Sequence, residues 1–456
     1  MTLEEYCRAE RQRQLEWLID YVRIPSISSS PEHVDEVRRC GQWTVNEMER
    51  IGLEHGQLIE TGGHPVAYAD WLHATDAPTV VVYGHYDVQP VDPLELWESP
   101  PFDPSIRDGE LYARGSVDDK GQVLMHWAAI EALMRTAGRL PVNLKFLVEG
   151  EEEIGSPNLD PFIEQHLDLL KADVAVISDT AMYGHGMPSL CYGLRGLAYF
   201  QIDVQGPNSD LHSGSFGGAV ANPANALAEI LARLKDASGR VCIPGFYDDV
   251  RPLSDEERRE LAKLPFDDAA YRAAIDVDAL TGEAGFSPLE RLWARPTLDV
   301  NGIWGGYQGS GAKTIIPAEA HAKVSCRLVP NQEPAKTGHL FSDYVKSIAP
   351  PGVRVRVQEL HGGRPSITPI DHLATLAAKR ALERAFEKDV VFMREGGSIP
   401  VVATFDSLLH VPTVLLGVGL PDEHAHAPNE RLNLDNFYRG ILAAAYLWQE
   451  LAQVRL

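Results

Sequence analysis

Apolar residues recur at helical spacing from Leu3 to Arg23 and again from His33 to Ile51, where Gly52 follows as a stop. The chain is therefore expected to open with two amphipathic helices. Short, continuous apolar runs come next, at Thr79–Tyr83 (TVVVY), Val142–Val148 (VNLKFLV) and Val174–Ile177 (VAVI). A long helical pattern from about Lys120 to Ala137 separates the first two. Strands that are apolar throughout must be covered on both sides, so their alternation with helices predicts an α/β fold: a mostly parallel sheet with helices on both faces.

Beyond about Arg195 the texture changes. Tyr199–Val204 (YFQIDV), Ala320–Val329 (AHAKVSCRLV) and Val353–Val357 (VRVRV) alternate apolar and polar positions, which marks a sheet with one wet face. Helical stretches at Pro223–Leu234 and Ala335–Ile348 would cover its other face, and the stretch from about Ser254 to Glu290 reads as a polar, partly helical elaboration. After Pro365 the first texture returns, with a helix near Leu373–Phe386, an apolar run Thr413–Val418 and a closing helix from about Leu434 to Leu451. The expected organisation is a main domain in two parts, 1–195 and 362–456, interrupted by an inserted α+β domain at 196–361.

Length and charge narrow the function. The 456 residues carry 41 Lys plus Arg against 65 Asp plus Glu, a formal charge of −24. So acidic a chain with scattered cations is not built to neutralise phosphates, so no nucleic-acid partner is expected. No apolar run reaches the roughly 20 residues of a membrane span, and the N-terminus starts on a charged helical pattern, so the expected setting is cytoplasmic, with no membrane partner. Five dispersed cysteines without a CxxC indicate neither a disulfide framework nor a thiolate metal site.

The candidate chemistry lies where the apolar strands end. TVVVY runs into Gly84-His85-Tyr86-Asp87, at the strand edge where open α/β sheets bind ligands. An imidazole there can ligate a metal while a nearby carboxylate fixes its tautomer. Asp118 and Asp119, in Ala113-Arg114-Gly115-Ser116-Val117-Asp118-Asp119-Lys120, open the next helix; capping accounts for one acid, whereas a bound cation accounts for two. Four carboxylates, Glu149, Glu151, Glu152 and Glu153, follow VNLKFLV, and Asp179 follows VAVI. Near the C-terminus, Glu423-His424-Ala425-His426 supplies another imidazole. Any one of these is commonplace, but their convergence on successive strand ends points to a site with oxygen and imidazole donors for zinc, manganese or cobalt, with a carboxylate bridging two ions.

With these residues in place, the motifs GHYDVQP, RGSVDDKG, EGEEEIGS, ISD, DLHSGSFGG, CRLVPNQ, REGGSIP and HAPNERLN can be compared as a set. In that order, and along nearly the whole chain, they resemble the dinuclear metallopeptidases of the aminoacylase and carboxypeptidase superfamily, most of all the cytosolic nonspecific dipeptidase and carnosinase branch. The resemblance implies two divalent ions per subunit, zinc foremost with manganese or cobalt as alternatives. His85 and Asp179 would hold one ion and Glu153 and His426 the other, with Asp118 as the bridge and Asp87 orienting His85. Glu152 would be the general base. That register rests on Gly155-Ser156, and Glu151, a third acid, leaves a shift by one residue open. A cis peptide at Asp118-Asp119 is also implied.

From the inserted domain, which the resemblance makes a lid and dimerisation domain, His212 would stabilise the oxyanion in the partner subunit's site, with Thr314 assisting. Arg327, His361 and Ser398 would clamp the substrate carboxylate, and Glu395 would receive its free amine. The function implied is hydrolysis of dipeptides by a metal-bridged hydroxide in a homodimer. A deacylase or carbamoylase of N-blocked amino acids is the alternative, and a non-catalytic metal-binding scaffold a remote one. Gly305–Thr314 imitates a phosphate loop, but Ala312 stands where that motif needs Gly before Lys313, and Ile315-Ile316-Pro317 follows instead of a helix.

Overall fold

The computed structural model describes residues 1–397 and 399–455. Its contacts divide it into two compact units. The first comprises Met1–Tyr192, Thr368–Met393 and Pro400–Leu456; the second comprises Gly193–Ile367 and Arg394–Ile399. These breaks differ from those expected at 195/196 and 361/362. The further grouping of Arg394–Ile399 with the second unit has no mark in the hydropathy pattern, because the strand Val391–Glu395 itself changes unit between Met393 and Arg394.

The first unit is built on a mixed sheet whose strands follow the order Glu54–Ile59, Val66–Trp71, Asn143–Glu149, Thr79–His85, Val174–Ile177, Thr413–Leu415 and Ser189–Leu194. The central four, from Asn143–Glu149 to Thr413–Leu415, are parallel, and antiparallel pairs flank them. All of Thr79–His85 beyond Thr79 is buried, as continuous apolar runs require. Register aligns the strand ends: His85 lies opposite Glu149, Tyr83 opposite Ile177, and Leu415 opposite Ile177.

The helix Lys120–Ala137 is buried from Lys120 to Leu133 and ends at Gly138, whose φ of 73° is the left-handed stop glycine takes without strain. Helices Leu373–Phe386 and Leu434–Leu451 match the sequence reading. The expected single helix Leu3–Arg23 is instead two, Leu3–Ala9 and Arg11–Val22, broken where Glu10 leaves helical geometry (φ −93°, ψ 3°). Beyond the break, Trp17 and Tyr21 pack on Trp127 with ring centroids 6.2 and 5.3 Å away. Lys120, fully buried, donates to the carbonyl of Ile24 at 2.7 Å, tying the start of its helix to the N-terminal segment.

The second unit carries a four-stranded antiparallel sheet in the order Thr297–Gly305, Glu319–Leu328, Gly196–Gln205, Arg354–Gly363. Burial alternates along it. Phe200, Ile202, Ala322 and Val324 face a core completed by Leu227 and Ile230 of helix Pro223–Ala232 and by Phe341 and Val345 of helix Pro334–Ser347. Phe200 and Phe341 stack at 4.3 Å. Cys7, Cys40, Cys191 and Cys326 are buried and Cys242 half-buried. Among the described residues, no helix is long and apolar enough to cross a membrane.

Candidate metal centre

Strand ends and one loop converge in the first unit. His85 closes its strand, and the strand Asn143–Glu149 runs through Gly150 into the turn Glu152–Ile154. Asp179 lies two residues past Val174–Ile177, and Asp118 precedes helix Lys120–Ala137 across a cis Asp118–Asp119 peptide. His426, at φ 62°, belongs to the loop that follows Thr413–Leu415. Two trios of donors result: His85, Asp118 and Asp179, and then Asp118, Glu153 and His426, each with its ligand atoms within 4.8 Å of one another. Asp118 belongs to both. Its Oδ1 lies 3.1 Å from Nε2 of His85, and its Oδ2 lies 2.8 Å from Nε2 of His426, which is also 3.2 Å from Oε2 of Glu153.

Asp87 organises two neighbours at once. Its carboxylate accepts from the main-chain N–H groups of Glu152 (3.2 Å) and Glu153 (3.1 Å). Its own carbonyl lies 3.1 Å, and its Oδ1 3.3 Å, from Nδ1 of His85. A donating Nδ1 leaves the Nε2 lone pair, on the side that faces Asp118, able to ligate a cation. The other acids of the run are engaged elsewhere: Glu151 accepts from the His64 amide (2.9 Å) and Asn158 Nδ2 (2.8 Å), while Glu149 accepts from the Tyr83 hydroxyl and from Ser156 Oγ (2.8 Å). The structure therefore separates four sequential carboxylates into two that brace the turn and two that face the cluster.

One residue that the sequence reading passed over shapes this centre. Glu430, fully buried, receives Arg114 Nη1 (2.6 Å) and the main-chain N–H groups of Gly115 (2.9 Å), Val117 (3.0 Å) and Asp118 (3.2 Å). A single carboxylate thus fixes the backbone that presents Asp118. The available sign was an Arg and a Glu of opposite charge, each inside a candidate motif.

Crowding of acids sets the electrostatics. Burial, reinforced by Asp118 and Glu153, pushes the Glu152 carboxyl up to about 7 despite the opposing pull of His85. Burial also raises Asp179 well above the usual carboxylate range, with Asp118 and Asp119 adding to it. Burial would lower His85, but hydrogen bonds to Asp118 and Asp87 drive it well upward; the same kind of bond, to Asp118 and Glu153, lifts His426 to about 10. Asp118 is held below its ordinary value because its two histidine hydrogen bonds outweigh burial. Carboxylates gathered this closely in low dielectric call for positive charge, and oxygen donors with one imidazole per trio suit a divalent cation.

The remaining expected residues lie in the second unit. His212 pairs with Ile315 in a short ladder, and Ser213 N–H donates to the Thr314 carbonyl (3.1 Å), so His212 and Thr314 are neighbours. His212 is exposed, its Nδ1 accepting from Gly214 N–H (3.0 Å). Arg327 stands opposite Leu197 and His361 opposite Tyr199, on strands either side of Gly196–Gln205 and on its wet face; the His361 and Tyr199 rings meet at 5.1 Å. Glu395 accepts Arg195 N–H at its carbonyl (3.2 Å). Ser398 lies outside the described residues.

The chain can now be set beside known proteins. The profile described as peptidase family M20/M25/M40 matches residues 81–450. A Cys-Gly metallodipeptidase of Schizosaccharomyces pombe is 35% identical over 95% of this chain and 94% of its own length. A Beta-Ala-His dipeptidase of Homo sapiens is 35% identical over 96% and 89%. Among solved structures, the dipeptidase Dug1p of Saccharomyces cerevisiae superposes with a TM-score of 0.79 at 30% identity, covering 99% of this chain and 98% of that one. The metallo-carboxypeptidase Sso-CP2 of Sulfolobus solfataricus gives 0.83 at 33%, over 97% and 99%. The chain is thus an enzyme, a metal-dependent hydrolase, and it belongs to peptidase family M20/M25/M40.

Proposed function

We propose that this enzyme hydrolyses the amide bond of dipeptides, using two divalent ions, zinc foremost with manganese or cobalt as alternatives. The observation that carries this reading is the pair of donor trios sharing Asp118, beside a half-buried Glu152 whose carboxyl is raised to about 7. His85 and Asp179 would hold one ion, Glu153 and His426 the other, and Asp118 both. When bound, such ions polarise the scissile carbonyl and make a water acidic enough to react near neutral pH. Glu152 would take the water's proton and return it to the departing amine. Asp87 keeps His85 in the ligating tautomer and anchors the turn bearing Glu152 and Glu153.

His212 stabilises the oxyanion, with Thr314 beside it, and does so in the partner subunit of a homodimer. Arg327, His361 and Ser398 recognise the substrate carboxylate, and Glu395 its free amine; recognition of both termini selects a length of two residues. The dipeptidase names carried by the relatives support this substrate class. Acidic charge and buried cysteines fit a cytoplasmic setting.

A side-by-side assay of a dipeptide and its N-acetyl form on metal-loaded enzyme separates this from the deacylase reading. The dipeptide is expected to be cleaved and the acetylated form left intact, because acetylation removes the cation Glu395 receives. Faster cleavage of the acetylated form would establish the deacylase instead.

A further inference from the structure

The neighbours of Glu395 are gripped by the polar elaboration that the sequence set apart as Ser254–Glu290. On one side, the Arg394 guanidinium is ion-paired with Glu257, and both side chains are 3% exposed. Every oxygen of Glu257 is committed: Oε1 also accepts from Arg251 (3.0 Å), and Oε2 accepts from Ser254 N–H (2.8 Å) in the capping box that opens helix Asp255–Leu261. Burial works against the Glu257 charge, but the Ser254 amide and the two arginines prevail and hold its carboxyl below the usual range.

On the other side, Gly396 lies against the mobile end of Arg195 and the backbone of Leu292. A Cβ there would stand 2.7 Å from Nη2 of Arg195 and 3.4 Å from the carbonyl oxygen of Leu292. Arg195 also donates its main-chain N–H to the Glu395 carbonyl (3.2 Å) and its Nε to that of Gly396 (3.4 Å). Leu292 belongs to helix Pro288–Trp293, which Glu290 ties to helix Asp255–Leu261 through Arg258. The helix Asp255–Leu261 and the helix Pro288–Trp293, which runs from the elaboration's end to just beyond it, therefore meet the segment on either side of Glu395.

A pair this deeply buried is a poor source of net stability, because desolvation consumes most of its attraction, and its best-attested use is to fix one arrangement against others. We propose that the elaboration, through Glu257 and Leu292, sets the position of Glu395 and thereby the length of peptide the enzyme accepts, with Glu257 as a positioning residue. The inference rests on the reading of Glu395 as the acceptor of the substrate amine. A third residue carries that amine about 3.5 Å farther from the scissile bond, so an acid released from its grip loses the distinction.

The test compares kcat/KM for alanyl-alanine and for trialanine on the metal-loaded full chain. Glu257→Gln keeps a side chain able to complete the capping box while removing the charge facing Arg394. Gly396→Ala pushes the Arg195 guanidinium aside without touching the ion pair, and Glu395→Gln is the reference. In each variant the dipeptide-to-tripeptide ratio is expected to fall about tenfold, and in Glu257→Gln the dipeptide KM rises while kcat stays within about twofold. General destabilisation lowers both substrates together and leaves the ratio unmoved. If the ratio falls in Glu395→Gln but holds in the other two, the positioning role is overturned and the amine reading stands. If it holds in Glu395→Gln as well, the amine reading is overturned and the inference goes with it. Should Glu257→Gln fail to fold, Gly396→Ala decides alone.

Discussion

Asp87 and Glu151 show how much the role of an acid depends on where its oxygens are spent. Asp87 accepts two main-chain N–H groups of the Glu152–Glu153 turn and faces Nδ1 of His85, so its loss disturbs a ligand and the base together. Asp87→Ala is expected to weaken metal affinity by about 10- to 100-fold, as removal of a carboxylate behind a ligating histidine does, measured by competition with a chromophoric chelator. Glu151→Gln should keep kcat near that of the unaltered enzyme, since Glu151 is occupied by the His64 amide and Asn158. A dead Glu151→Gln with normal metal content would move the base by one position. Sequence alone left that register open, because three consecutive acids are chemically alike until backbone N–H groups choose among them.

At the scale of the element, the helix Lys120–Ala137 carries two further consequences. The loop before it is fixed by Glu430, and Glu430→Ala strands Arg114, itself 1% exposed. An unpaired buried charge of this kind costs about 3–5 kcal/mol, measurable by urea denaturation, and metal affinity should fall with it because the Asp118 N–H loses its anchor. Within the helix, burial pushes His126 from 6.5 down to about 3. The unfolded chain therefore takes up this proton first as the pH falls, so the contribution is whole above about 6.5 and is lost progressively toward 3. Between pH 7 and 5 the unaltered protein should lose about 2 kcal/mol more than His126→Gln; equal losses in the two proteins would refute the assignment.

The helices Lys120–Ala137, Leu373–Phe386 and Leu434–Leu451 were legible because sustained periodicity leaves one reading. The strand Val66–Trp71 was not, since Asp70 interrupts its apolar run and is tolerated only because Tyr68 (2.9 Å) and His55 (2.8 Å) satisfy it. The run Thr413–Val418 keeps strand geometry only to Leu415: Val418 gives its amide to Gln122 (2.9 Å), and Gly417 presses on Thr180 so closely that a Cβ would meet its carbonyl at 1.9 Å.

At the scale of the whole molecule, His85, Glu153 and Asp179 were legible because each ends an apolar run or follows it within a few residues, whereas the support from Glu430 and from helices Asp255–Leu261 and Pro288–Trp293 depends on contacts far apart in sequence. Assembly gives a prediction of its own. If His212 serves the partner's site in a C2 dimer, mixing inactive His212→Ala and Glu152→Gln proteins should restore roughly a quarter of full activity after random exchange, because about half the dimers are mixed and each then has one intact site. Exchange without recovery would confine His212 to its own chain. The central claim is that paired divalent ions and Glu152 together make this chain a dipeptidase. The measurement that tests it most directly is metal content beside dipeptide kcat for the unaltered enzyme and for Glu152→Gln. The account predicts two ions per subunit in both proteins and a kcat lower by about 10²- to 10⁴-fold in the variant; undiminished turnover by Glu152→Gln, or turnover that survives removal of all metal, would contradict it.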